Sequence, residues 1–179
     1  GLQRSHRTLD GVLKPLLGIF MTTLALYSNK GGVGKTAAAV NLSYLAAQTG
    51  AKTLICDLDP QGSATYYFRV KPKLKSGPKG FVRGAKGVYK SVKGTDFENL
   101  DILPADFSLR KLDVLYNKFG NSKQRLKKML DPFGSEYRLI ILDCPVTIGI
   151  LAENILNAAD YTLVPMIPTL LPLCTYNNW

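Results

Sequence analysis

The sequence is poor in the residues that build disulfide frameworks and histidine sites. Among 179 residues there are three cysteines and one histidine, His6. Cys56, Cys144 and Cys174 are odd in number and lie in or beside apolar runs, so they predict buried thiols in a reducing cytoplasm. No uncharged apolar run approaches the length of a membrane span, and we therefore expect no membrane-spanning segment.

Acidic residues are missing from one stretch of the chain. The formal net charge is +10, from 23 Lys and Arg against 13 Asp and Glu. Residues 69–94 carry nine of those cations and no acid, and they account for nearly all of the excess. Net positive charge indicates solubility and anionic partners but says nothing about fold. Residues 69–94 are therefore a separate basic segment that needs its own explanation.

The first 20 residues differ from the rest of the chain. A basic start and the apolar run over residues 12–20 imitate a secretory signal, but a lysine and a proline interrupt that run. Met21 opens a segment with the pattern of a first strand. We expect Met21 to be the natural start, residues 1–20 to be an extension outside the fold, and residues 21–179 to form one domain.

Short apolar runs alternate with helical patterns along that domain. Helical spacing is found at residues 38–46, 109–116, 126–130 and 148–157. Such alternation predicts a mostly parallel sheet flanked by helices, which is an α/β fold. The predicted strands are residues 22–28, 53–56, 100–103, 139–142 and 161–166.

Carboxylates follow two of the predicted strands. Asp57 and Asp59 come after residues 53–56, and Asp143 comes after residues 139–142. The carboxyl ends of parallel strands meet at one edge of a sheet, where ligands bind. A single aspartate at such a place can simply cap a turn. Three at one edge favour a role in binding metal and water.

A glycine-rich stretch lies between the first predicted strand and the first predicted helix. Residues 30–36 read Lys-Gly-Gly-Val-Gly-Lys-Thr, a phosphate-loop pattern in the context that it requires. Its glycines let amide groups approach phosphates, and the helix N-terminus adds positive potential. Lys35 can reach the terminal phosphates, and the Thr36 hydroxyl can ligate magnesium. The predicted nucleotide-binding residues are Lys30, Gly31, Gly32, Val33, Gly34, Lys35, Thr36 and Ala37.

The loop departs from the general pattern in one detail that points to a family. Asn29 stands at the first glycine position, and Lys30 follows it. Together with Asp-Leu-Asp-Pro-Gln-Gly at residues 57–62 and Leu-Asp-Cys-Pro at residues 142–145, this form resembles the ParA/MinD superfamily of deviant Walker-A ATPases. Within it the chain looks most like ParA, the ATPase of plasmid and chromosome partitioning, over about residues 21–176. The resemblance implies a three-layer P-loop NTPase fold, and because relatives continue further, we expect the family's last strands to be lacking here.

The resemblance also implies a mechanism. It predicts a magnesium-dependent ATPase, with ATP and Mg²⁺ as cofactors, that forms a homodimer on binding ATP. Lys30 would cross to the partner's nucleotide, Lys35 would serve its own, and Asp59 would orient or activate the attacking water. These three are the predicted catalytic residues. The resemblance assigns magnesium to Thr36, Asp57 and Asp143.

The partners are implied by the same resemblance. We expect non-specific DNA, a ParB-like centromere-binding protein and no membrane, in a cytoplasmic, nucleoid-associated protein that acts in plasmid or chromosome segregation. One alternative is a catalytically weak or inert nucleotide- and DNA-binding module. Another is a different positioning ATPase of the ParA/MinD type.

The basic segment has three interpretations. The segment could be a DNA-binding arm, in which the cations neutralise DNA phosphates and Phe81 and Tyr89 offer faces on which bases stack. As a flexible insertion between the second and third predicted strands, it would only be solvated. It could also meet an acidic partner or an anionic membrane, although its glycines and prolines argue against an amphipathic helix. The candidate DNA contacts are Arg69, Lys71, Lys73, Lys75, Lys79, Arg83, Lys86, Lys90 and Lys93.

Overall fold

A mostly parallel sheet organises the molecule. The computed structural model describes residues 20–75, 77–83, 85–118 and 122–167. Within these residues six strands pair in the order β3-β4-β2-β5-β1-β6, and every pair is parallel except β3 with β4. The strands are β1 Thr22–Leu26, β2 Thr53–Asp57, β3 Lys93–Gly94, β4 Leu100–Leu103, β5 Leu139–Asp143 and β6 Tyr161–Leu163.

Helices connect the strands and cover both faces of the sheet. Two of the helices are flanked by short 3-10 segments at Phe107–Lys111, Ser122–Gln124 and Asp131–Ser135. The predicted α/β fold with a mostly parallel sheet is confirmed, although the first and last predicted strands are shorter than expected and β3 was not predicted. The helices are α1 Lys35–Gln48, α2 Ser63–Tyr67, α3 Gly80–Arg83, α4 Ala85–Tyr89, α5 Leu112–Lys118, α6 Arg125–Leu130 and α7 Ile150–Ala158.

The strands supply side chains to two hydrophobic layers. In β2, Leu54 and Cys56 belong to one cluster with residues of α5, α6 and α7, whereas Ile55 belongs to the other with residues of α1 and α2. This alternation follows from the two-residue repeat of a strand. The sheet is thus the middle of three layers, and burial on both faces explains why its central strands are almost entirely apolar.

The register of the central strands brings their carboxyl ends side by side. Asp143, the last residue of β5, is the register partner of Leu26 in β1 on one side and of Asp57 in β2 on the other. The chain leaves β1 directly into the loop of residues 27–34, and leaves β2 into the turn that contains Asp59. One edge of the sheet therefore gathers the glycine-rich loop and the three aspartates.

The basic segment is folded over much of its length. It contains α3, α4 and β3, and Leu74, Phe81 and Val88 are buried in the cluster beneath α6. The Leu74 amide donates to the Asp106 carboxylate at 3.1 Å, which fixes one end of the segment. The prediction of a flexible insertion is therefore wrong for the residues described, because regularly spaced apolar side chains tie the segment to the core.

Some expectations fall on residues that the structure does not describe. The predicted extension lies outside the described residues except for Phe20, and residues 168–179, including Cys174, lie outside them as well. The other two cysteines, Cys56 and Cys144, are buried free thiols as predicted. In the part of the chain that is described, none of the helices combines the length and apolar character needed to cross a bilayer.

Candidate functional site

The glycine-rich loop of residues 30–36 lies open at the carboxyl end of β1. Gly32 and Gly34 have φ angles of 70° and 89°, in the left-handed region that favours glycine. A Cβ atom at either position would meet nothing within 4 Å, so glycine is favoured there by the backbone conformation and not by a lack of space. The exposed backbone of this loop can therefore be approached by a ligand, as a phosphate-binding loop requires.

Helix α1 begins at this loop with its first amide groups available. Gly34 is its N-cap residue and brings no side chain to cap them, and the Ala38 amide makes the first helical bond to the Gly34 carbonyl at 2.9 Å. The N-terminus of a 14-residue helix carries partial positive charge at this point. The loop and the helix together form an anion-binding site.

Lys35 is almost enclosed by this loop. Its side chain is buried, and Nζ donates to the Lys30 carbonyl at 3.1 Å. The Lys30 amide in turn donates to the Ser28 hydroxyl at 3.1 Å. The Lys35 ammonium therefore already lies inside the turn where the terminal phosphates of a nucleotide would bind.

Asp143 is buried beside this loop, at the end of β5. The residue is fully buried, and neither carboxylate oxygen has a partner among the described residues. Burial raises the pKa of Asp143 to about 7, and the charges of Asp57 and Asp59 add to the rise, whereas the Thr36 hydroxyl and, more weakly, Lys35 oppose it. An unpaired buried carboxylate is costly, and here it marks a place for a cation.

Asp57 is buried next to Asp143 but is fully engaged by its own chain. One carboxylate oxygen accepts from the Thr65 amide at 2.8 Å and from the Thr65 hydroxyl at 2.7 Å, and the other accepts from the Asp59 amide at 3.3 Å. Burial raises its pKa to about 6, although the bonds from Thr65 work against the rise. Asp57 thus holds the turn after β2 in place, and its assignment to magnesium remains a prediction.

Asp59 lies at the mouth of the site. It is half-buried, and its carboxylate accepts from the Gln61 amide at 2.9 Å. It lines a cleft of about 330 Å³ together with Pro145, Val146 and Thr147, which belong to the loop after β5. An open cleft beside a carboxylate provides the setting for a positioned nucleophile.

Three residues that the sequence did not single out hold the surrounding loops. The Tyr27 hydroxyl donates to the Thr147 carbonyl at 2.7 Å, and the Leu151 amide donates to Asp113 at 2.9 Å, so the loop after Asp143 is held at Thr147 and at the start of α7. Thr65 accepts from the Ala105 amide at 2.8 Å and thereby joins β4 to the turn after β2. These contacts span 38 or more residues along the chain, and local spacing carries no signal for them.

The candidate DNA contacts separate into described and undescribed side chains. The side chains of Arg83 and Lys86 lie outside the described part. The other seven cations are exposed: Arg69, Lys71, Lys73, Lys75, Lys79, Lys90 and Lys93. The predicted stacking face at Phe81 is wrong, because that ring is 1% exposed in the core. Tyr89 stacks on Phe133 at 4.8 Å between ring centroids, so one face of its ring is already occupied.

Comparison with known proteins identifies the family. A family model described as an AAA domain matches residues 21–174. The sporulation initiation inhibitor protein Soj of Bacillus subtilis is 34% identical over 144 residues, which is 80% of this chain and 57% of Soj. The chromosome partitioning protein ParA of Myxococcus xanthus is 33% identical over 144 residues, which is 80% of this chain and 51% of that protein. The chain thus spans about half the length of these relatives.

Solved structures agree with this assignment. Cobyrinic acid a,c-diamide synthase from Mycobacterium smegmatis, with bound ATP analog and magnesium, has a TM-score of 0.79 at 26% identity, covering 88% of this chain and 64% of that one. A complex of Cyanothece McdA with ATP has a TM-score of 0.73 at 28% identity, covering 83% of this chain and 57% of that one. The chain therefore belongs to the AAA-domain family of P-loop ATPases, within the ParA/MinD superfamily that its deviant phosphate loop indicated.

Proposed function

We propose that this protein is a ParA-type partitioning ATPase that binds and hydrolyses ATP with magnesium. The observation that carries the proposal is the pairing of an open phosphate loop with a buried carboxylate beside it, Asp143, that has no hydrogen-bond partner among the described residues. The loop provides amide groups and a lysine for phosphates, and the carboxylate provides a negative group for a cation. Together these two features suit a nucleotide bound with a metal.

The residues around the loop fit a magnesium ion. Among the described residues no group of three His, Cys, Asp or Glu could hold a metal by itself. Magnesium seldom needs such a group, because it is commonly held by one or two carboxylates, by water and by substrate phosphates. The residues that would hold the magnesium ion are Thr36, Asp143 and, through water, Asp57. When bound, it would neutralise charge on the terminal phosphates.

Each remaining residue has a separate task in the proposed reaction. Lys35 and the loop amides bind the phosphates and orient the terminal phosphoryl group. Asp59, at the mouth of the cleft, orients the attacking water. Lys30 reaches the nucleotide of a second subunit in an ATP-dependent homodimer, where cations from both chains offset the cost of burying phosphate charge.

The proposed biological role is plasmid or chromosome segregation. It rests on the likeness to Soj and ParA, and it includes non-specific DNA binding, a ParB-like partner protein and a cytoplasmic, nucleoid-associated location. Residues 21–179 would form the ATPase domain, with residues 1–20 as an extension of it.

Two variants test the proposed chemistry. We expect Lys35→Ala to lose ATP binding, because it removes the ammonium enclosed by the loop. Asp59→Ala should keep ATP binding and lose turnover by about 100-fold or more, as expected for a residue that acts only on the water. Binding is measured with a fluorescent ATP analogue, and turnover by phosphate release with and without DNA. Full turnover in Asp59→Ala would remove that residue from the mechanism.

A further inference from the structure

Two neighbouring tyrosines stand out from the surface next to the turn after β2. Tyr66 is 84% exposed and Tyr67 is 63% exposed, whereas Phe68 beside them is buried. They lie at the end of α2 and line a groove of about 470 Å³ together with Arg69, Val70, Lys71 and Pro72. Large exposed aromatic side chains that lie together commonly mark an interaction site.

The tyrosine groove, residues 66–72, is built on a fixed backbone. Arg69 has a φ angle of 54°, a left-handed conformation that is uncommon for a residue other than glycine. Its amide donates to the Tyr66 carbonyl at 2.9 Å, and the Val70 amide donates to the Thr65 carbonyl at 3.1 Å. The chain therefore turns sharply beneath the tyrosines and holds them in place, instead of leaving them on a loose loop.

The charge around the groove restricts what could bind there. Arg69 and Lys71 line it, and the next two cations, Lys73 and Lys75, are exposed beyond it. The sequence has no Asp or Glu between residues 60 and 95. The complementary ligand is therefore an anion that also presents flat aromatic faces, and nucleic acid combines the two properties.

We propose that the tyrosine groove binds nucleic acid with unpaired bases. Bases would stack on Tyr66 and Tyr67, while Arg69 and Lys71 contact the backbone phosphates. In a duplex the base faces are already stacked on one another, so the tyrosines would contribute little to binding it. This mode goes beyond the proposed non-specific DNA binding, on which it rests only for the class of partner.

Stacking and charge make different predictions for matched oligonucleotides. The probes are a labelled oligothymidylate of about 16 nucleotides and a duplex of equal length, measured by fluorescence anisotropy without ATP. We expect the double variant Tyr66→Ala/Tyr67→Ala to bind the single strand more weakly by about 10- to 100-fold. Its duplex binding should change by less than about twofold, since the phosphate contacts are kept. Tyr66→Phe/Tyr67→Phe should restore single-strand binding, because phenylalanine retains the stacking face.

The controls separate this inference from a folding defect and from the proposed function. Tyr161→Ala removes a tyrosine that is 49% exposed on β6 and should change neither affinity. A thermal melt of each variant shows whether it is folded. Equal losses for the single strand and the duplex, no loss at all, or failure of the phenylalanine variant to restore binding would each overturn the inference. So would tyrosine-dependent binding to phosphatidylglycerol vesicles without single-strand binding. Duplex binding that persists without any role for the tyrosines would leave the proposed function standing.

Discussion

Asp57 and Asp143 show how one register position can serve two purposes. They are partners on adjacent strands and both are fully buried. Thr65 satisfies Asp57 with two hydrogen bonds, whereas Asp143 has no hydrogen-bond partner among the described residues. The first carboxylate therefore supports the fold, whereas burial of the second costs stability.

The first prediction concerns Asp143 and pH. Its pKa is raised to about 7 by burial, so the folded protein holds a proton that the unfolded chain has already released. Stability should therefore fall as pH rises from about 4 to about 7 and then level off. Asp143→Asn cannot ionise, and we expect it to raise the free energy of unfolding at pH 8 by on the order of 2–4 kcal/mol in the nucleotide-free protein.

Urea denaturation at pH 5 and pH 8 measures this effect. The gain from Asp143→Asn should be small at pH 5, where the native carboxyl is mostly protonated. Some decline with pH should remain, because the pKa of Asp57 is also raised, to about 6. Asp96→Asn, at an exposed position, is the matched control. An equal gain at both pH values would show that charge at residue 143 is not the cause.

The functional residues differ in how far the sequence reveals them. Their roles stay predictions, but the placement of Lys35 and the aspartates at one edge of the sheet could be predicted from neighbours within a few residues and from strand ends. Tyr27, Thr65 and Asp113 could not, because each acts through a partner that only the fold brings near. The exposure of Tyr66 and Tyr67 could not be predicted either, because it depends on the sharp turn at Arg69.

At the scale of elements, the start of α1 combines two requirements. The loop must turn through left-handed conformations at Gly32 and Gly34, and the helix must leave its first amides free. Gly31 belongs to the same loop, but it has no left-handed φ, and a Cβ atom there would meet nothing within 4 Å. The two kinds of glycine can therefore be separated by experiment.

The second prediction compares these glycines. Gly34→Ala should lower the free energy of unfolding by about 1–2 kcal/mol, because alanine is strained at a φ of 89°. Gly31→Ala should change it by less than about 0.5 kcal/mol in the nucleotide-free protein. Urea denaturation of both variants without nucleotide gives the comparison. Equal destabilisation would mean that backbone conformation does not explain the choice of glycine at residue 34.

Elements were predictable where their pattern is strong and local. Strands β1, β2, β4 and β5 are short apolar runs with clear ends. Strand β3 consists of Lys93 and Gly94, both exposed, and only pairing with β4 makes it a strand. The helices of the basic segment were not predicted, because lysines and glycines dominate its sequence and only a few apolar residues pack against the core.

At the scale of the whole molecule, positive charge serves two separate surfaces. The phosphate loop contains Lys30 and Lys35, whereas the basic segment carries nine cations and no acid. Lys35 is buried within the loop, but the described cations of the segment are exposed. Exposed cations can neutralise DNA phosphates with release of counterions, so affinity should depend steeply on salt.

The third prediction separates these surfaces. Replacing all nine cations of the basic segment by glutamine should abolish measurable duplex binding at about 150 mM salt. The slope of log affinity against log salt should become shallower by about 0.9 for each DNA phosphate that the protein no longer neutralises. ATP binding should be unchanged, because Lys35 and the loop amides are untouched.

Glutamines at Lys118, Lys127 and Lys128, which are exposed on α5 and α6, provide a control for net charge alone. If that control weakens duplex binding as much per charge removed, the overall charge of the protein attracts DNA and the basic segment has no special part in it.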